Sequence, residues 1–95
     1  MSYLLVLNYD VIDAEKFAEY AKRSQSTMPP DMKVLAFDQT PNDLEGSSRQ
    51  RLTIVEFPSE EAALRWYESD AYRAIRPLRL ESTTGWLRGV SRFGA

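Results

Sequence analysis

The sequence predicts an α+β domain of βαββαβ order, a four-stranded antiparallel sheet with its helices on one face. Three observations predict it. Four apolar runs read as strands: YLLVLNYDV (3–11), MKVLAFDQ (32–39), RLTIVEF (51–57) and GWLRGVSRF (85–93). Amphipathic stretches follow the first and the third of them. The two strand-to-helix halves also echo one another, since Asp13 to Tyr20 has the spacing of Ser59 to Trp66, displaced by 46 residues.

Each element has a local reason. The first run is too short for a membrane span and too continuously apolar for a strand with one wet face, so both of its faces should be covered. Asp13 offers an N-cap and Glu15 puts negative charge in the first turn of a helix over about 13–26. Phe17, Ala18, Ala21 and Tyr20 form its inward stripe, and Glu19 and Arg23 pair one turn apart. Met28-Pro29-Pro30 stops it, because residues before proline leave the helical region. TPNDLEGSS (40–48) reads as a loop or hairpin tip, extended around Leu44.

After the third strand Ser59 caps a second helix, Glu60 and Glu61 sit at its positive end, and Ala62, Ala63, Trp66 and Tyr67 point inward. Ser69 caps a fresh segment from Asp70, with Ala71, Ala74, Ile75 and Leu78 as its apolar face and Tyr72, Arg76 and Arg79 flanking it. Pro77 predicts a kink or loosened turn. The order of elements is the ferredoxin-like split βαβ arrangement, in one domain over 1–95.

Helices on one side leave the other side of the sheet bare. By period two, Leu5, Leu7, Val55 and Phe57 face the helices, and Leu4, Val6, Leu52 and Ile54 have no partner within one chain. Each left in water forfeits roughly 1.5–3 kcal/mol. A homodimer through the sheet face would cover them and enclose a barrel-like interior, with Asn8, Asp10 and Glu56 on the same alternation lining one end of it.

Composition closes off several chemistries. The chain has no cysteine and no histidine, which excludes disulfides, thiolate nucleophiles, serine–histidine triads and the usual zinc or haem ligation. No metal and no cofactor is expected. Residues 1–64 carry net charge −5 and residues 65–95 carry +3; the overall −2 argues against a nucleic-acid partner, while the local excess could hold a small organic anion or pair with acidic surface nearby. No apolar run is long enough for a membrane helix, and MSYLLVLNYD lacks the features of a signal peptide, so a cytoplasmic protein is expected.

VEFPSEEAALRWYESDAYRAIRPLR resembles the second half of the DUF1330 family, YLLVLNYDVIDAEKFAEYA resembles its first strand and helix, and Leu44-Glu45-Gly46 matches its usual "lEG". The resemblance spans nearly the whole chain. It implies a dimeric α/β-barrel similar to small antibiotic-biosynthesis-type monooxygenases, with no established reaction. Asp70 stands where relatives often have proline, which suits a first helical turn equally well. The glycine-rich turn common in the family before the second strand is here Met28-Pro-Pro-Asp-Met32, which alters the rim of any pocket it borders.

Four residues stand out as candidate substrate-binding groups: Asn8, Glu56, Trp66 and Arg79. Glu56, at the end of an apolar strand, is the candidate base, or else pairs with an arginine such as Arg79 or Arg76. Arg79 could clamp a carboxylate or enolate, or bridge to Glu56. Trp66 and Tyr67 offer flat walls to a substrate or belong to the core, and Tyr72 packs on the sheet with its hydroxyl toward the rim. Asn8 could donate to an oxyanion or tie down a loop, and Arg88 and Arg92 discourage edge pairing of the last strand. Two functional classes stay open: a cofactor-free oxygenase, isomerase or cyclase acting on a small enolisable or aromatic metabolite, and a non-catalytic dimeric module binding a small organic acid.

Overall fold

The structure, a computed structural model, describes residues 2–94. Strand β1 (Tyr3–Val11) leads to α1 (Ala14–Ser24), a 3₁₀ turn (Gln25–Thr27) and β2 (Lys33–Asp38). After a long irregular connection come β3 (Arg51–Phe57), α2 (Glu60–Tyr67), α3 (Asp70–Ser82) and β4 (Thr83–Ser91). The sheet order is β2-β3-β1-β4, antiparallel throughout, as the βαββαβ reading requires. Leu44, expected to keep some extension, lies in the irregular connection and is strongly exposed.

The caps hold as read. The Lys16, Ala62 and Tyr72 amides donate to the side chains of Asp13 (3.1 Å), Ser59 (3.1 Å) and Ser69 (3.2 Å) respectively, each satisfying an otherwise orphaned helix-start N–H. Ser69 thus separates α2 from α3. The helix runs on through Pro77 to Ser82.

Pairing fixes which side chains share a face. Tyr3, Leu5 and Leu7 lie opposite Phe57, Val55 and Thr53, and the core under the helices joins Leu5, Val55 and Phe57 to Ala63, Trp66, Tyr72 and Ile75. Leu4, Val6, Leu52 and Ile54 lie on the other face and are only half-buried, with Trp86 and Val90 of β4 exposed beside them. The period-two assignment is therefore correct.

One expectation needs correction. The buried face of α3 is Tyr72, Ile75, Arg79 and Ser82, while Ala71 and Ala74 are exposed. The helix is rotated from the all-aliphatic stripe. The large tyrosine ring removes far more apolar area from water than two alanine methyls do, and Arg79 enters with it because a hydroxyl receives its proton.

Gly85 opens the body of β4 at φ +151, against Asn8 and Tyr9. A methyl group there would meet the Asn8 carbonyl oxygen and the Tyr9 Cα, both fixed in the neighbouring strand. Gly85→Ala is expected to cost on the order of 2–3 kcal/mol, seen as a lower urea midpoint with unchanged slope; an unaltered midpoint would contradict this packing.

Candidate functional site

Between α1 and the sheet lies a cavity of about 330 Å³. Its floor is Leu7, Thr53 and Val55, and its roof is Phe17, Tyr20 and Ala21 of α1. Met28 and Met32 close one end, with Val34 and Phe37 of the edge strand beside them. This concavity is on the helix-covered face, and is distinct from the hollow expected between two copies on the open face. β2 reaches it because a register shift between Val34 and Ala36 keeps both Val34 and Phe37 on the helix side.

Trp66 forms a wall. Buried at 9% exposure, it lines this cavity and also a more open depression of about 560 Å³ edged by Thr27, Pro29, Pro30 and Asp31. Its indole N–H donates to Thr27 Oγ1 at 3.3 Å, and its ring lies 4.1 Å from that of Tyr72, centroid to centroid. The Met28–Met32 segment therefore borders both concavities, which makes its sequence a determinant of their shape.

Between α1 and α3 three polar groups are joined. The Arg79 Nε–H donates to Tyr72 Oη at 3.1 Å, and Tyr72 Oη lies 2.7 Å from Tyr20 Oη. Tyr72 is fully buried, so its hydroxyl faces the interior and not the rim. Arg79 is buried too, and among the described residues no carboxylate comes within ion-pair distance of it. Burial and the neighbouring Tyr72 hydroxyl push the Tyr20 phenol well above its ordinary pKa, opposed by the Arg79 charge. Tyr20 stays a protonated donor.

Glu56 sits elsewhere. It lies on the open face opposite Leu4 and Lys33, with its carboxylate 3.1 Å from Arg92. The ion-pair alternative is what the structure contains, with Arg92 in place of Arg79 or Arg76; the sheet separates Glu56 from Arg79. Arg76 instead lies over the Tyr67 ring and 3.8 Å from Glu68, and Arg88 lies over the Trp86 ring.

Asn8 is not beside Glu56 either. It pairs with Leu52 while Glu56 pairs with Leu4, four residues along the strands or roughly 13 Å. Its amide is committed to the chain entering β3: Nδ2 donates to the Arg49 and Arg51 carbonyls (3.2 and 2.8 Å), and Oδ1 accepts from the Arg49 N–H (2.9 Å). Asp10 adds to this anchor, its carboxyl held below the usual range by the Gln50 N–H and by Arg49.

Of the four suspected residues, Trp66 borders the cavity and Arg79 reaches it through Tyr72 and Tyr20, while Asn8 and Glu56 lie on the opposite face. Tyr20 is the residue sequence reasoning underweighted. Its signal was the echo between the two halves: Tyr20 and Trp66 hold equivalent positions, and both pack on Tyr72.

These features define a ferredoxin-like α+β fold with a helix-side cavity. The chain belongs to the family described as a domain of unknown function, DUF1330, whose model matches residues 2–92. Its fold is similar to a protein of unknown function from Rhodopseudomonas palustris (TM-score 0.79, 17% identity, 99% of this chain and 84% of that one). It is also similar to SnoaB, a cofactor-independent oxygenase from Streptomyces nogalater (0.68, 9%, 99% and 95%). A dimeric ferredoxin-like protein of unknown function from Thermobifida fusca matches at 0.70 and 9% identity, over 97% and 92% of the two chains. No curated protein matches the chain.

Replacing Asn8 by alanine strips partners from part-buried backbone groups leading into β3, so stability is expected to fall by about 1–3 kcal/mol in urea unfolding. An undiminished midpoint would show that Asn8 does not anchor the loop.

Proposed function

We propose that the protein takes up a small, flat, largely apolar metabolite, aromatic or enolisable, in the helix-side cavity, without a cofactor. One observation carries this reading: the cavity is walled by aromatic and thioether side chains, among them Tyr20, whose hydroxyl is tied through Tyr72 to a buried arginine. A few fixed polar groups in an apolar enclosure orient a guest. The fold shared with an oxygenase that needs no cofactor supports a cofactor-free reaction as the form the activity takes. Among the described residues no carboxylate lines the cavity, so the proton would be lost from an acidic substrate to solvent, and the chain's part would be to position the guest and steady negative charge on it. Glu56 in this reading is a rim ion pair.

The working unit is proposed to be a homodimer through the open sheet face. Half-buried Leu4, Val6, Leu52 and Ile54, with exposed Trp86 and Val90, form the apolar surface a second copy would cover, and the dimeric relative in fold supports it. Sedimentation at micromolar concentration should give twice the 10.9 kDa chain mass, and Ile54→Glu should shift it to one; a wild-type protein sedimenting as a single chain would remove this part of the reading.

For the cavity, Trp86→Phe leaves Trp66 as the sole tryptophan, a reporter on its wall. Titration with a panel of aromatic and enolisable compounds should give a saturable change in its emission for a subset. Ala21→Phe, which fills the space under α1, should weaken those binders at least about tenfold. Silence from the whole panel, or equal binding by the filled variant, would count against uptake here.

A further inference from the structure

The chain of Arg79, Tyr72 and Tyr20, of which Tyr20 lines the cavity, has a direction. A guanidinium only donates, so Tyr72 Oη is the acceptor of the Arg79 Nε–H. Tyr72 is fully buried, and the one other polar atom bonded to its hydroxyl is Tyr20 Oη, 2.7 Å away. Were Tyr20 the donor in that pair, the Tyr72 proton would be buried with nothing to receive it, at a cost buried polar groups seldom bear. The Tyr72 proton therefore goes to Tyr20. That leaves the Tyr20 proton as the spare one, on a half-buried residue that lines the cavity.

The charge has a direction as well. Arg79 has no carboxylate partner among the described residues, so its field is not neutralised locally, and each hydroxyl in line is polarised toward the next. We infer that the cavity is built for a ligand carrying a hydrogen-bond-accepting oxygen, a carbonyl or an anionic enolate, phenolate or carboxylate, which receives the Tyr20 proton at the end of an Arg79–Tyr72–Tyr20 relay. This rests on the uptake of a small molecule by the same cavity and specifies which chemistry is selected. A ligand offering a donor at that point meets a second donor and a positive potential. Tyr20 and Tyr72 are thus positioning residues for an acceptor, and Arg79 supplies the preference for negative charge without touching the guest.

Four naphthalenes of similar size separate the possibilities: 2-ethylnaphthalene, 2-acetylnaphthalene, 2-naphthoate and 2-naphthylmethylammonium, titrated into the wild-type protein and monitored by calorimetry. The acetyl compound should bind roughly tenfold tighter than the ethyl one, the naphthoate about threefold tighter than the acetyl compound, and the ammonium most weakly. Tyr20→Phe should bring the acetyl and ethyl affinities within about twofold while leaving the ethyl affinity as it was. Tyr72→Phe, which interrupts the relay behind the cavity wall, should erase the advantage of naphthoate over the acetyl compound; thermal melts identify any variant that fails to fold, and the wild-type series stands without the variants. Binding of all four with no acceptor preference, or a preference that survives Tyr20→Phe, overturns the relay and leaves uptake intact. Binding of none overturns uptake and the relay together.

Discussion

A guanidinium carried onto the inner face of a helix must either be hydrogen-bonded there or pull the helix back toward water, and the arrangement of this domain follows from how Arg79 meets that demand. Its Nε–H is received by Tyr72, Tyr72 is received by Tyr20, and the two phenols tie α3 to α1 across the top of the sheet. The same contact sets the rotation of α3, placing Tyr72 against Trp66 in the core and Ala71 and Ala74 outside. At its other end the Arg79 carbonyl accepts from Thr83 at 2.7 Å, so the residue also joins the helix to the start of β4. One residue, through its side chain and its carbonyl, thereby links α3 to α1 and to β4.

The two faces of the sheet answer different needs. Under the helices, a dense aromatic and aliphatic core gives way toward β2 to an unfilled space, because the short edge strand carries its side chains beyond the reach of α1. On the other face the apolar residues of β1 and β3 are bordered by charges, Glu56 with Arg92 at one end and Asp10 with Arg49 at the other. That pattern of a greasy centre ringed by ion pairs is what association surfaces look like, and it underlies the proposed pairing of copies. The proposed ligand uptake and the proposed assembly use opposite sides of the same four strands.

Much of the fold was legible because it is locally encoded. Caps at Asp13, Ser59 and Ser69, the alternation in β1 and β3, and the stop at Met28-Pro29-Pro30 are each settled by a few neighbouring residues. The site was less legible because its contacts join distant parts of the chain. Tyr20 and Tyr72 are 52 residues apart, and nothing near Arg79 in sequence announces that its partner is a phenol. Glu56 drew attention as a carboxylate on an apolar strand; the tail beyond β4 returns Arg92 to it, a pairing that alternation within one strand cannot reveal. Asn8 was ambiguous for a similar reason, since its three bonds all run to a segment some forty residues away.

The segment from Met28 to Met32 departs from the family's glycine-rich turn, and it forms part of the rim of both concavities. Two consecutive prolines hold two backbone torsions fixed before any guest arrives. Little freedom is then left to be frozen on binding, but little is available for adjustment either. For the guest proposed above, this rim would act as a fixed gauge: molecules that match it would enter at small entropic cost, and oversized ones would be turned away.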